Sequence, residues 1–141
     1  MVPSTLHASI KAHSGPISTV TYNSSGQYVL TASHDKLVKL FNPSSGLLVK
    51  TYSGHGYEVL DVKLAKGDEK FVSGSGDKAV FLWDVSSGKT IRRWTGHWQR
   101  VNCVAVNFDS SLVLSGAFGC YLWGFVVYWR CAPLINESMN G

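Results

Sequence analysis

The chain has 141 residues, of which 45% are hydrophobic, 12% aromatic and 16% charged, with 14 Gly, 4 Pro and 3 Cys. This is the composition of a folded globular protein, and it disfavours disorder, collagen and a disulfide-stapled miniprotein. The formal net charge is +4 and the basic residues are scattered along the chain, so no nucleic-acid-binding arm is predicted.

Four short strands are predicted in the first third of the chain. Ile17–Tyr22 and Leu37–Phe41 alternate between apolar and polar residues. Tyr28–Ser33 is a mostly apolar run, and Leu47–Tyr52 follows a Ser-Ser-Gly turn. These patterns are typical of β-strands, and no longer segment of the chain has a convincing helical period. The fold class is therefore predicted to be all-β.

An internal repeat runs along the chain without a gap. His13, His55 and His97 are equally spaced, and the same step carries Asp35 to Asp77. Many other positions match chemically in the same register. Self-similarity at a fixed period indicates that one structural unit is built several times.

Short motifs at the start and end of the second period indicate which kind of repeat this is. Gly54-His55 stands at the start and Leu82-Trp83-Asp84 at the end. A period near 40–45 residues with these marks resembles the WD40 repeat, in which each repeat forms one four-stranded blade of a β-propeller. The resemblance implies four-stranded antiparallel meanders, arranged as an incomplete propeller of about three blades.

The repeat weakens toward the C-terminus, since the positions one period after Asp77 and Trp83 hold Gly119 and Phe125. The predicted segments are an N-terminal strand (1–12), repeat one (13–54), repeat two (55–96), a partial repeat three (97–116) and a divergent tail (117–141). Closed propellers typically have 4–8 blades. An incomplete propeller of about three blades would leave sheet edges and an apolar face exposed. These are expected to favour self-association or aggregation.

Period two contains His55, Ser73 and Asp77, which are the residue types of an acyl-transfer triad. The WD40 resemblance implies a structural role instead, in which the aspartate binds the imidazole, the imidazole the serine, and the serine the tryptophan. The set also recurs in another period, whereas catalytic residues are rarely duplicated, so no enzyme activity is predicted. The expected network members are His55, Ser73, Asp77 and Trp83 in period two, His13, Thr31 and Asp35 in period one, and His97 and Ser115 in period three.

Two segments of the second period point to a narrower family. Thr51–Asp61 and Ser75–Val85 closely resemble the early blades of the mitogen-activated protein kinase organizer 1 family, and the resemblance covers roughly residues 5–116. That family is a seven-bladed scaffold that assembles kinase-cascade components and is associated with the spliceosome, in cytoplasm and nucleus. The resemblance implies protein partners from those systems and no direct contact with nucleic acid.

The propeller architecture also predicts where partners bind. The loops before the first strand of a blade share one rim with the turns between the second and third strands, and partners commonly dock there. The candidates on this rim are Tyr57, Glu58, Trp98, Arg100, Lys36 and Lys78. Tyr, Trp and Arg are enriched at binding hot spots. In the alternative interpretation, Tyr57 and Trp98 only cover the blade edge.

Nothing in the sequence predicts a metal site, a cofactor or secretion. Cys103, Cys120 and Cys131 are odd in number and lack CxxC spacing. Residues 1–12 lack the basic and apolar regions of a signal peptide. We therefore expect an intracellular protein.

The aromatic-rich tail leaves two alternative functions open. We favour a changed reading frame, a retained intron or an alternative last exon as its origin, and a truncated product without a binding role is then one alternative. The run Ser110–Trp129 carries no charge and is long enough to span a bilayer, although Gly116, Gly119 and Gly124 interrupt it. A membrane-associated variant is the other alternative, and it is the less favoured of the two.

Overall fold

The computed structural model describes residues 9–118 and a short strand at 127–128. These residues form eleven β-strands and no helix, which confirms the all-β prediction. Residues 9–12 have no regular secondary structure, and the rest of the predicted N-terminal strand lies outside the described residues. Within the described part of the chain, no helix is long and apolar enough to cross a membrane.

Sheet one is an antiparallel meander in which each strand pairs with the next along the chain. Its strands are β1 (Ile17–Tyr22), β2 (Val29–Ser33), β3 (Leu37–Asn42) and β4 (Leu47–Ser53). All four strands were predicted from the alternation and the turn residues, and no strand end differs from its predicted position by more than one residue.

Sheet two repeats the same meander. Its strands are β5 (Val59–Leu64), β6 (Lys70–Ser75), β7 (Ala79–Asp84) and β8 (Thr90–Thr95). The irregularities repeat as well, because the register shift between Ile17 and Thr19 in sheet one recurs between Val59 and Asp61. Residues matched by the repeat thus produce matched backbone geometry.

Sheet three consists of β9 (Val101–Val106), β10 (Leu112–Ala117) and β11 (Val127–Tyr128) in its described part. Strand β11 belongs to the segment predicted as a divergent tail, and it pairs with β10. Val113 corresponds by repeat to Phe71, the partner of Trp83, but Val113 pairs with Val127. The third strand of this sheet therefore lies two residues later than the repeat predicts, because position 125 would be the register partner.

The sheets pack face to face around two hydrophobic clusters, as blades of an incomplete propeller do. The first cluster lies between sheets one and two and contains Leu30, Ala32, Val38, Leu40, Tyr52, Val59, Val62, Phe71, Ala79, Phe81 and Trp83. The second lies between sheets two and three and contains Val72, Val80, Leu82, Val101, Val104 and Val113. Sheet two is thus covered on both of its faces.

Candidate functional site

Four buried side chains of sheet two form a continuous hydrogen-bonded network. Nδ1 of His55 lies 2.9 Å from Oδ2 of Asp77, and Nε2 lies 2.7 Å from Oγ of Ser73. Nε1 of Trp83 donates to the same Ser73 oxygen over 2.8 Å. The network joins the loop before β5, strands β6 and β7, and the turn between them. The structure therefore brings these four predicted residues together.

The chemistry of the groups determines the direction of two of these bonds. The Asp77 carboxylate only accepts, so Nδ1–H of His55 donates to it. The indole N–H of Trp83 only donates, so the serine oxygen accepts it, and Nε2 of His55 bonds to the same hydroxyl. Every polar group in the chain of bonds therefore has a partner. A buried network of this kind stabilises the fold because no member is left without a partner.

Sheet one holds the same network with one member fewer. His13 contacts Oδ2 of Asp35 over 2.9 Å through Nδ1, and Oγ1 of Thr31 over 2.7 Å through Nε2. Phe41 occupies the position of Trp83 and has no N–H to donate. The hydroxyl of Thr31 therefore lacks the indole bond that Ser73 accepts, and it donates instead to the carbonyl of Lys39 over 3.4 Å. A net hydrogen bond contributes about 0.5–1.5 kcal/mol to stability.

The two network aspartates have lowered pKa values. Burial alone would raise the pKa of Asp77 and of Asp35, but hydrogen bonds from the histidine and from two backbone N–H groups outweigh it. The backbone donors are Gly56 and Ala79 for Asp77, and Ser14 and Leu37 for Asp35. Both carboxylates are therefore charged at neutral pH, and each ties the preceding loop to the turn between the second and third strands.

In sheet three, Nε2 of His97 lies 2.7 Å from Oγ of Ser115, as in the other two sheets. Burial lowers the pKa of His97, since desolvation disfavours its charged form. The repeat position of the carboxylate is residue 119, which lies outside the described residues. The pairing of histidine with a hydroxyl is thus common to all three sheets.

The network does not present a nucleophile to a substrate. Ser73 is 0% exposed, and its hydroxyl is bonded to both His55 and Trp83. Attack by a serine requires its oxygen to reach a substrate carbonyl. Within residues 9–118, no group of three His, Cys, Asp or Glu side chains is arranged to hold a metal ion. The chemistry of this arrangement is structural: it rigidifies one rim of the sheets.

The turns on this rim carry the predicted lysines in a constrained backbone conformation. Lys36 and Lys78 have φ angles of 76° and 69°, a region that side chains other than glycine adopt at a cost of about 1–2 kcal/mol. Their N–H groups bond to the carbonyls of Ser33 and Ser75, over 3.3 and 3.1 Å. Both lysine side chains are exposed. The turns therefore fix the backbone from which two exposed lysine side chains project.

Two predicted aromatic side chains project from the loops of the same rim. Tyr57 is 60% exposed and Trp98 is 80% exposed. Each lies one or two residues after a histidine that is 6% exposed, His55 or His97. The exposed rings are therefore attached to loops whose backbones are anchored in the interior.

The two predicted charged residues of these loops contact the adjacent turns. The carbonyl of Glu58 accepts from the N–H of Gly76 over 2.9 Å, and the carbonyl of Arg100 accepts from Phe118 over the same distance. The Glu58 carboxylate packs so closely on Gly76 that a Cβ there would clash with Oε1. The Arg100 guanidinium lies 4.5 Å from the centre of the Phe118 ring. Loop and turn thus form one surface.

We call this surface the network rim: it consists of Lys36, Tyr57, Glu58, Lys78, Trp98 and Arg100. The structure places all six on the same side of the sheets, next to the buried histidines. Glu58 is only half-buried, whereas the other five are exposed. The surface therefore combines two aromatic rings with three cations and one carboxylate.

Sequence reasoning missed the polar contacts on the opposite rim, between the sheets. Asp68 of sheet two accepts from the backbone N–H of Ser24 over 3.0 Å and from its hydroxyl. Ser110 of sheet three accepts from the N–H of Lys66 over 2.6 Å. Asp68 and Ser110 are one period apart, so the repeat offered a signal for this pair. A cavity of about 410 Å³, open to solvent, lies beside these contacts.

Comparison with known proteins gives matches along the chain. The family model "WD domain, G-beta repeat" matches residues 4–42, 46–84 and 88–124, and the last segment extends beyond Gly116. WD repeat domain-containing protein 83 of Xenopus tropicalis is 47% identical over 60 residues, which are 43% of this chain and 19% of that protein. The human protein of that name is 55% identical over 47 residues, or 33% of this chain and 15% of that protein.

The longest of these alignments is with a more distant relative. The WD repeat domain-containing protein 83 homolog of Dictyostelium discoideum is 36% identical over 117 residues, which are 83% of this chain and 36% of that protein. The chain thus spans about a third or less of the length of the curated relatives it matches. These relatives are homologues of the kinase organizer that the second period resembles, so that part of the resemblance is confirmed.

Proposed function

The chain belongs to the WD40 repeat family, and from this premise we propose that it is a non-enzymatic scaffold that binds other proteins through the network rim. WD40 domains generally mediate contacts between proteins. The observation that supports this rim is the pair of exposed rings, Tyr57 and Trp98, on anchored loops. Large exposed rings on a rigid support lose little conformational entropy on binding, which is why such residues dominate interfaces.

The charge pattern of the rim indicates what kind of protein surface it fits. Lys36 and Lys78 lie in turns whose backbone is constrained, and Arg100 is held over an aromatic ring. Glu58 is the one carboxylate among the six rim residues. A partner with acidic side chains around an apolar patch complements this arrangement, because complementary charges orient the encounter and exclude wrong partners.

The partners that we propose come from the kinase-organizer resemblance. They are protein components of a mitogen-activated protein kinase cascade or of the spliceosome, encountered in the cytoplasm and the nucleus. The supporting observation is the homology to WD repeat domain-containing protein 83 over the early repeats. Since the chain matches only part of those relatives, binding by the chain itself is the point to test.

The test compares two matched pairs of exposed aromatic residues on opposite rims. The 141-residue chain and its Tyr57→Ala/Trp98→Ala variant are immobilised and incubated with purified kinase-cascade and spliceosomal proteins. The control is Tyr22→Ala/Phe108→Ala, which removes rings that are 62% and 89% exposed on the other rim. We expect the first variant to lose at least about tenfold in affinity, since hot-spot truncations cost about 2 kcal/mol or more.

Circular dichroism and urea unfolding show whether each variant has kept its fold. Undiminished binding by a folded Tyr57→Ala/Trp98→Ala variant would contradict the rim as the binding surface. Equal losses in both variants would also contradict it, because the contact would then not be specific to the network rim. If the unsubstituted chain binds none of these proteins, the proposed scaffold role of this chain is wrong.

A further inference from the structure

The outermost strand of sheet two ends in two arginines and a hydroxyl. Strand β8 contains the run Arg92-Arg93-Trp94-Thr95, and these arginines are the only two adjacent basic residues in the 141-residue chain. Arginines two and three positions before a Ser or Thr are what arginine-directed protein kinases recognise, because acidic side chains of the kinase pair with the guanidinium groups. The proposed scaffold role does not use this run.

Strand β8 presents the run in a form that a kinase can bind. It stands at the end of the strand order of sheet two and pairs with β7 alone. No described strand pairs with its other edge, and an open sheet edge can accept a further extended segment. Protein kinases bind the residues around the acceptor in an extended conformation. The backbone of β8 already has that conformation.

The acceptor and both arginines are exposed to solvent. Thr95 and Arg93 lie opposite Ala79 and Phe81 of β7, which belong to the cluster between sheets one and two. On this face sheet two is covered by sheet one. The exposure of Thr95 therefore does not come from an absent neighbouring sheet. It reflects the position of β8 at the outside of the molecule.

The same repeat position in sheet one has an exposed hydroxyl but not the arginines. Ser53 corresponds to Thr95 and is exposed as well. Lys50 stands at the first arginine position, and a threonine stands at the second. Nζ of Lys50 donates to the carbonyl of Ser86 over 2.8 Å, so this cation is tied to a turn of sheet two. Recognition by arginine is thus specific to sheet two.

We propose that Thr95 is phosphorylated by an arginine-directed protein kinase, with Arg92 and Arg93 as the recognition residues. Oγ1 of Thr95 attacks the γ-phosphorus of ATP, and the bond from that phosphorus to the oxygen of the β-phosphate breaks. The hydroxyl proton passes to the catalytic aspartate of the kinase, and ADP leaves. The inference does not depend on binding at the network rim.

The modification places negative charge at the base of a rim loop. Thr95 lies two residues before the buried His97 and three before the exposed Trp98. A phosphorylated threonine carries a charge of about −1.5 to −2 at pH 7. Arg93 lies on the same face of the strand, since residues two apart share a face. Its guanidinium, now 5.4 Å from the centre of the Phe81 ring, is available to pair with the phosphoryl group.

The test incubates the 141-residue chain with ATP and the catalytic subunit of cyclic-AMP-dependent protein kinase, as the arginine-directed probe. Intact mass counts the phosphoryl groups, and phosphopeptide sequencing locates them. Thr95→Ala removes the acceptor, whereas Arg92→Gln/Arg93→Gln removes the recognition charges and keeps the acceptor. Ser53→Ala is the matched control, because it removes the exposed hydroxyl at the same repeat position. Circular dichroism shows that each variant has kept its β-sheet spectrum.

We expect the unsubstituted chain and the Ser53→Ala variant to gain one phosphoryl group, located on Thr95. Thr95→Ala should gain none. Arg92→Gln/Arg93→Gln should be phosphorylated with a kcat/KM at least about tenfold lower, because charge-assisted hydrogen bonds to the kinase are lost. A proline-directed kinase should modify none of these proteins, since no Ser or Thr of the chain precedes a proline.

Three results would overturn the proposal. One is phosphorylation at other residues while Thr95 stays unmodified. The second is an unchanged kcat/KM in the Arg92→Gln/Arg93→Gln variant, because the arginines would then not direct the kinase. The third is a folded chain that gains no phosphoryl group, whether or not a synthetic peptide of residues 89–100 is modified. Modification of the peptide alone would show that the sheet keeps the run out of reach of the kinase.

Discussion

Sheets one and two are built from nearly the same repeat, yet they differ in how much of that repeat is protected from water. Val62 of sheet two is 0% exposed, whereas its equivalent Val20 in sheet one is 56% exposed. Sheet two also has a four-membered network that includes Trp83, whereas the network of sheet one has three members because Phe41 occupies the tryptophan position. The comparison teaches that a blade acquires its stability largely from its neighbours, as in other repeat proteins.

Trp83 in sheet two and Phe41 in sheet one occupy the same repeat position, and they illustrate this difference most directly. Trp83 is 1% exposed, lies parallel to Phe71 with ring centres 5.7 Å apart, and meets the edge of Tyr52 from sheet one. The hydroxyl of Tyr52 in turn donates to the carbonyl of Val85 over 2.8 Å. Trp83 therefore belongs to the interface as well as to the network of its own sheet.

The largest expected effect comes from truncating this residue. Trp83→Ala should lower the free energy of unfolding by about 3–5 kcal/mol, because it leaves a large cavity and removes the indole donor. Phe41→Ala should cost about 1 kcal/mol less, since no side-chain hydrogen bond is lost in sheet one. Urea unfolding of the 141-residue chain measures both values. Equal losses in the two variants would contradict the difference between the sheets.

Acidification is expected to have an intermediate effect on the free energy of unfolding, and it should affect the two sheets alike. The pKa of Asp77 and that of Asp35 lie below the ordinary value of 3.8 in the folded chain. A lowered folded pKa stabilises the fold above the unfolded pKa, and this stability disappears as the pH falls through the folded pKa. The contribution of these two aspartates to the free energy of unfolding should therefore be constant above about pH 5 and should fall below about pH 4.

Substitution of each aspartate separates the contribution of Asp77 from that of Asp35 to the loss of stability at low pH. Asp77→Asn and Asp35→Asn should each cost about 1.5–3 kcal/mol at pH 7, the range for hydrogen bonds to charged groups. Each variant should also lose part of the fall in stability between pH 5 and pH 2. Urea titrations at several pH values measure this, and an unchanged acid slope in both variants would show that other carboxylates cause it.

The smallest expected effect concerns the bonds between sheets on the opposite rim. Asp68 and Ser110 have φ angles of 60°, and each side chain bonds to the backbone of the preceding sheet. Asp68→Ala should cost about 1–2 kcal/mol, since the bonds are lost and the unfavourable φ remains. Asp68→Gly should cost about 1 kcal/mol less, because glycine adopts a positive φ freely. Urea unfolding ranks the variants.

Sheet one supplies the control for this last prediction. Gly26 stands at the Asp68 position with a φ of 76°, and nothing lies within 4 Å of a Cβ built there. Gly26→Asp should destabilise the chain by about 1 kcal/mol, since the strain appears without the bond. A stabilising Gly26→Asp substitution would mean that the new carboxylate finds a donor on a neighbouring sheet, and the comparison would then need revision.

The strands and the network could be predicted because both depend on local pattern and on the constant step of the repeat. Alternation defined the strands of sheet one within one residue, and the repeat transferred them to sheet two. The register of β11 could not be predicted, because Val127 pairs with Val113 where the repeat predicted position 125. Strand pairing depends on the length of the connection, and the tail sequence carries no repeat to reveal it.

Contacts between sheets were also outside the reach of local pattern. Asp61 is 9% exposed and accepts from the backbone N–H of Val104 over 3.0 Å, across the second interface. Its equivalents in the other sheets are Thr19 and Cys103, so no repeated residue type marks the contact. Aspartate is rarely buried unless it is paired. Asp61 also accepts from Lys63 and from the N–H of Val62 within its own strand, but only the approach of sheet three supplies the Val104 donor.

The amino-acid sequence by itself determined that the chain is all-β, that its unit recurs at a constant step, and which residues form each buried network. These properties follow from the spacing of apolar residues, turn residues and paired polar groups within one unit. The tertiary structure decided which apolar faces are covered and which are exposed. Ile17 and Val59 are similar residues at one repeat position, and only the presence of a neighbouring sheet makes one exposed and the other buried.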